Sequence, residues 1–164
     1  VDARPPARRG VVSAVVFVLV VAAVAVAGSI AGSSSGDQYA SIVRPAWAPP
    51  PWLFGPVWTV LYAAIAVAGW RVYWIAGAGS LRAVRPEMLV YAIGLVLNAL
   101  WTPLFFAAQA RTAALVDIVL LDLVIVATLV LFMRRDRIAG FLFVPYFLWT
   151  AFATALNLSI VLLN

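Results

Sequence analysis

The sequence predicts an all-α integral membrane protein, a five-transmembrane-helix bundle, and three observations predict it. First, 66% of the 164 residues are hydrophobic and only 10% are charged, against about 25% charged in soluble domains. Second, uncharged or nearly uncharged runs at 11–36, 45–70, 88–110, 112–133 and 138–164 each supply the ~20 apolar residues that a ~30 Å hydrocarbon core requires. Third, the arginines sit between these runs rather than within them. Spans near 11–32, 51–76, 86–108, 112–133 and 138–163 use almost all of residues 1–164 as one transmembrane domain. No stretch remains for a soluble domain, so function is expected inside the bundle or in its short loops.

Span one follows Arg4, Arg8 and Arg9. Ala25-Val-Ala27 has the character of a signal-peptidase site, but the apolar run continues to about Gly32, beyond the usual ~7–15-residue signal core. Retention as a true span is the expectation. Gly28-Ser-Ile-Ala-Gly32 is a small-xxx-small motif, suited equally to close packing inside the bundle and to a homodimer seam. Residues 33–50 form the longest loop, with a short helix expected around Tyr39 to Val43 and stopped by Pro45. Pro45 to Pro51 then read as an extended, rigid entry, because proline removes a backbone donor and fixes φ.

Span two ends near Trp74, where Gly77-Ala-Gly79-Ser signals a turn, and Pro86 suits the first turn of span three. Spans three and four are joined only by about Gln109 to Thr112, which makes them antiparallel neighbours. Arg134-Arg-Asp-Arg137 separates spans four and five. No internal repeat stands out, which argues against an inverted-repeat transporter. Counting arginines on alternate sides puts Arg4, Arg8, Arg9, Arg71, Arg82, Arg85, Arg134, Arg135 and Arg137 against Arg44 and Arg111. That nine-to-two bias places the N-terminus in the cytoplasm, and the 33–50 loop and C-terminus outside.

Composition removes several function classes. All eleven basic residues are arginine, so a retinal Schiff base has no lysine to form on. Histidine and cysteine are absent, and with them go the usual zinc, copper and haem ligands, disulfides and His-based triads. No metal site or cofactor is expected. The net charge of +5 reflects arginines flanking spans, not a nucleic-acid surface.

Three stripes carry the candidate site. Phe54, Trp58 and Tyr62 recur at i, i+4 and i+8, one helical face. Asn98, Trp101 and Phe105 share a face of span three, and Trp149, Ala153 and Asn157 share a face of span five. Trp47, Trp52, Trp70 and Trp74 fit an interfacial belt, whereas Trp58, Trp101 and Trp149 fall deeper. Intramembrane asparagines commonly tie helices together, so each stripe suits packing as well as binding. The stripes share one depth, and a cavity under the 33–50 loop would bring them together around a planar apolar ligand. Asp117 and Asp122 interrupt span four; five residues is about 140° of helix, so they do not form a paired-carboxylate site.

Tyr39 through Arg44-Pro45-Ala-Trp47-Ala-Pro-Pro, then Phe54-Gly-Pro-Val-Trp58-Thr-Val-Leu-Tyr62, resembles the tryptophan-rich sensory protein / translocator protein (TspO/MBR, peripheral benzodiazepine receptor) family. Leu97-Asn98-Ala-Leu-Trp101-Thr-Pro-Leu-Phe105-Phe106, Ala114-Leu-Val-Asp117 and Pro145-Tyr146-Phe-Leu-Trp149-Thr-Ala-Phe-Ala153-Thr-Ala-Leu-Asn157 are similar to its later motifs, in order. The resemblance covers spans two to five. It implies a five-helix bundle whose ligand cavity is closed by the first loop, and binding of porphyrins, other tetrapyrroles and isoquinoline or benzodiazepine compounds.

By position it implies a cavity lined by Tyr39, Pro45, Trp47, Pro49, Phe54, Trp58, Asn98, Trp149 and Ala153. Trp58 and Trp149 match the two tryptophans linked in the family to light-dependent porphyrin breakdown. After Asn157 the chain reads Leu158-Ser-Ile-Val-Leu-Leu-Asn164, without the aromatic and basic residues of the animal members' proposed sterol motif, so sterol recognition is not expected. Asp122 departs from a typically uncharged position. A receptor for porphyrin in a bacterial cell membrane, an enzyme degrading porphyrin under light, and a small tetrapyrrole transporter all stay open at this point.

Overall fold

The computed structural model describes residues 7–32 and 35–164, and among them every regular element is helical. In chain order these are α1 (Ala7–Ala31), α2 (Ser35–Ser41), α3 (Phe54–Arg71), α4 (Arg85–Thr102), α5 (Arg111–Arg135) and α6 (Arg137–Leu163). A 3₁₀ turn, Pro51–Leu53, leads into α3, and wider π-type turns, Val72–Ala76 and Pro103–Ala107, prolong α3 and α4. Five segments are long and apolar enough to cross a membrane: Arg8–Ala31, Pro51–Ala76, Arg85–Ala107, Arg111–Arg135 and Arg137–Leu163. Pro145 lies inside α6 without ending it, as spans tolerate where neighbours satisfy the freed backbone.

The short loop helix runs Ser35–Ser41, several residues before its expected place at Tyr39 to Val43. Pro45 disfavours helical geometry at Arg44, and Asp37 sits in the first turn, where a carboxylate favours the start of a helix. Residues 43–50 are then non-helical apart from a turn in which Ala48 N–H donates to Pro45 O at 3.0 Å. The entry is extended, as the prolines require.

Each long helix packs mainly against two others, and the five close into a ring in the order α1, α3, α6, α5, α4. The ring is tight at the arginine-rich end. There Ile65, Val72, Tyr91, Phe132 and Phe143 form one buried cluster. Gly69 allows a close approach at this end, since a Cβ on it would meet Tyr91 Cζ at 2.8 Å and Phe17 Cε1 at 2.9 Å. Trp70 Nε1 donates to Gly10 O at 3.1 Å, tying α3 to α1. Arg71 pairs with Asp136 at 2.8 Å, and Arg135 pairs with Glu87 at 2.6 Å. Asp136 also caps α6, its Oδ1 accepting from Ala139 N at 3.1 Å. With one end stapled this way, the free volume lies toward the 33–50 loop.

Candidate functional site

That volume is a cavity of about 470 Å³ lined by all five long helices and by Gly36 and Tyr39 of α2. It falls within the ~300–1,000 Å³ of small-molecule sites. The three stripes meet in it: Phe54, Trp58 and Tyr62 from α3; Asn98, Trp101 and Phe105 from α4 and its π-type extension; Trp149, Ala153 and Asn157 from α6. Tyr39 joins them from the loop. Pro45, Trp47 and Pro49 lie outside the lining. Trp47 packs edge-on against Phe152, with ring centroids 5.6 Å apart. Pro49 acts through its carbonyl, which accepts from the Tyr39 hydroxyl at 3.2 Å, so these residues hold the lid rather than face the cavity.

The aromatic wall is built from three groups of touching rings. Tyr39 meets Phe54 edge-on at 5.6 Å, and Phe54 meets Trp149 edge-on at 5.8 Å. Trp58 leans over Tyr62 at 5.2 Å, while Trp101 stacks on Phe105 at 5.1 Å with an interplanar angle of 24°. Centroid separations of ~4.5–7 Å are those of favourable aromatic pairs. The rings are therefore positioned by one another before any ligand arrives.

The polar side chains in the wall are largely engaged within the protein. Asn98 Oδ1 accepts from the Tyr62 hydroxyl at 2.8 Å, and its Nδ2 donates to the Tyr146 hydroxyl at 2.9 Å; this one amide links α4 to α3 and α6. Asn157 Oδ1 accepts from Trp101 Nε1 at 3.2 Å, and its Nδ2 donates to Arg111 O at 3.1 Å, linking α6 to α4 and to the start of α5. Thr59 and Thr150 hydroxyls donate to carbonyls one turn back. The buried Trp149 Nε1 has no acceptor among the described residues. The cavity thus presents mainly rings and methyl groups.

Sequence reasoning missed the α1 wall. Ala25, Gly28, Ser29 and Gly32 line the cavity at i, i+3, i+4 and i+7, one helical face. A Cβ on Gly28 would meet only Thr102 Oγ1, at 3.6 Å. The small-xxx-small motif therefore lines this space and leaves it open on the α1 side. The signal was present as four small residues in helical register, opposite an aromatic wall. Outside the lining, Asp122 Oδ2 accepts from Thr154 Oγ1 at 2.7 Å. That bond ties α5 to α6 and gives the unusual carboxylate a partner.

Fold and site together define a five-span α-helical integral membrane protein with an aromatic cavity beneath its first loop. Residues 15–163 match the model of the TspO/MBR family, and the chain belongs to that family. It is 42% identical over 127 residues to "Tryptophan-rich protein TspO" of Chlorobaculum tepidum, covering 77% of this chain and 78% of that protein. It is 37% identical over 129 residues to "Protein CrtK" of Rhodobacter capsulatus, covering 79% of each. Its similarity to the human "Translocator protein" is 40% over 119 residues, covering 73% of this chain and 70% of that protein.

Proposed function

We propose that the protein is a membrane receptor or sensor that binds porphyrins, protoporphyrin IX and related tetrapyrroles, and benzodiazepine- or isoquinoline-type compounds in this cavity. One observation carries the reading: three aromatic stripes from three helices converge on a single space of about 470 Å³ whose amides are already hydrogen-bonded to the protein. Such a wall selects flat, apolar bodies by burial and ring contact. In this reading Phe54, Trp58, Tyr62, Trp101, Phe105, Trp149 and Ala153 make the contacts, Asn98 and Asn157 fix the helices that present them, and the membrane is a bacterial cell membrane. The relatives named sensory protein, TspO and translocator protein support it.

Absorbance and tryptophan-quenching titrations of the purified protein with metal-free protoporphyrin and with haem, dark and illuminated, test it. The two porphyrins should bind alike, because the chain has no His or Cys to ligate iron. Trp149→Phe should keep most of the affinity. Trp149→Ala should lose roughly thirtyfold, the ~2 kcal/mol of a truncated aromatic anchor. Haem binding a hundredfold tighter, with the spectrum of a strong axial ligand, would overturn this picture. Porphyrin loss that needs light, and that stops in Trp58→Phe while binding persists, would instead favour the degrading enzyme.

A further inference from the structure

At the tight end of the bundle, far from the cavity, one side chain ties the loop between α3 and α4 to the turn between α5 and α6. Arg135 Nε donates to Oε1 of the buried Glu87 at 2.6 Å, and its Nη2 donates to Ala83 O at 3.2 Å. Arg82 and Arg85 bracket Ala83, while Arg134 and Arg137 bracket Arg135, and all four of these bracketing arginines are exposed. The tie therefore gathers four guanidinium groups at one place. Glu87 is taken by Arg135 and Asp136 by Arg71, so none of the four has an acidic partner among the described residues. Three of them also head lipid-facing stripes. Leu89 and Ile93 follow Arg85 on α4, Val130 and Val126 precede Arg134 on α5, and Phe141 follows Arg137 on α6. Spacings of four and eight keep each set on one helical face, and all five apolar side chains are exposed. In the ring α5 lies between α4 and α6, so these outer faces adjoin. The positive-inside rule accounts for arginines at this end, but not for two connections drawn together so that four of them share one spot.

We infer that this cluster is a binding site for an anionic phospholipid. Arg82, Arg85, Arg134 and Arg137 take the headgroup phosphates, and the acyl chains run along the exposed stripes of α4, α5 and α6. Guanidinium forks match phosphate oxygens, and basic pockets between spans bind diphosphatidyl headgroups. Four unpaired guanidinium groups beside three adjoining stripes fit a lipid with two phosphates and four chains, cardiolipin, better than a lipid with one phosphate. The site is separate from the cavity and stands independently of the porphyrin reading. A lipid held there bridges three helices of the folded bundle, so its binding stabilises the protein.

Delipidated protein in detergent is titrated with cardiolipin, phosphatidylglycerol and phosphatidylcholine. Native mass spectrometry reads the bound lipid, and tryptophan fluorescence reads the melting temperature. Cardiolipin should bind best and raise the melting temperature most, phosphatidylcholine should do so least, and added salt should weaken cardiolipin binding. An arginine near the surface favours anionic lipid roughly fivefold. The double variants Arg82→Gln/Arg85→Gln and Arg134→Gln/Arg137→Gln should thus each weaken cardiolipin on the order of twentyfold. Arg8→Gln/Arg9→Gln, at the same end but on α1, should cost less than about fivefold. Arg71 and Arg135 are kept throughout, so lipid-free melting should match the wild type. If a double variant melts early, the single variants Arg134→Gln and Arg137→Gln, each expected to lose about fivefold, carry the test. An equal loss in Arg8→Gln/Arg9→Gln would show a uniformly basic end and overturn the site. Cardiolipin bound no better than phosphatidylcholine, or bound unchanged by the cluster variants, overturns it as well. Inorganic phosphate should leave the melting temperature where it is; stabilisation matching that of cardiolipin would make this a site for free phosphate and overturn the lipid assignment.

Discussion

Gly28 shows how much a single missing side chain contributes to this site. The cavity exists because α1 turns Ala25, Gly28, Ser29 and Gly32 toward an aromatic wall, and a Cβ at Gly28 meets nothing closer than 3.6 Å. Gly28→Ala should therefore bind ligand much as the wild type does. Gly28→Leu should project its side chain into the void and weaken porphyrin binding roughly tenfold or more, the ~1–3 kcal/mol typical of an overpacked site. Its melting temperature in detergent should not fall, because the side chain enters free space and leucine is a better helix former than glycine. A Gly28→Leu protein that melts normally and binds with wild-type affinity would place the ligand elsewhere. Asn98 is the converse case, a residue whose value lies in what it already holds. Its amide bonds Tyr62 and Tyr146 on two other helices, so the glue and the binding interpretations of that stripe describe one wall.

The turn between α5 and α6 shows a device at the scale of elements. Asp136 separates the two helices, caps α6 through Ala139 N, and pairs with Arg71 from the end of α3. Burial by itself would raise its carboxyl, but the Ala139 and Ile138 amides and the Arg71 guanidinium together hold it below the ordinary value of 3.8. A depressed carboxyl stabilises the folded state in full above the unfolded value. That contribution disappears as pH falls through the lower folded value. The three-helix staple should thus hold from neutral pH down to about 4 and weaken below it. Melting temperature measured from pH 7 to pH 2.5 should drop on the acid limb, and Asp136→Asn should flatten that drop while lowering stability at pH 7. An acid limb equally steep in Asp136→Asn would assign the loss to other groups. Helix boundaries elsewhere follow equally local chemistry: α2 ends at Ser41 because Pro45 denies Arg44 a helical backbone.

The whole bundle explains which features were legible in the amino-acid order and which were not. The spans follow from hydropathy alone, because lipid demands internal satisfaction of every backbone group, and the observed segments end within about three residues of those expected. The stripes were legible because 3.6 residues per turn gathers i, i+4 and i+8 on one face. What periodicity does not encode is the ring order α1, α3, α6, α5, α4, and so neither the facing of α1 nor the exclusion of Pro45, Trp47 and Pro49 from the wall could be read. The ring also gathers the charges. Arg8, Arg9, Arg71, Arg82, Arg85, Arg134, Arg135 and Arg137 belong to the tight end, where Asp136 and Glu87 take one each, and Arg44 and Arg111 belong to the cavity end; Arg4 lies outside the described residues. Orientation depends on the count of basic residues near span ends and little on acidic neighbours, so those ion pairs do not cancel the bias. The tight end should face the cytoplasm, leaving the cavity, Arg44 and Asn164 on the opposite side. Fusions placed after Asn164 measure this directly. Alkaline phosphatase, which folds only outside the cytoplasm, should be active there, and a green fluorescent protein fused at the same point should stay dark. The reverse pattern would turn the molecule over and open the cavity toward the cytoplasm.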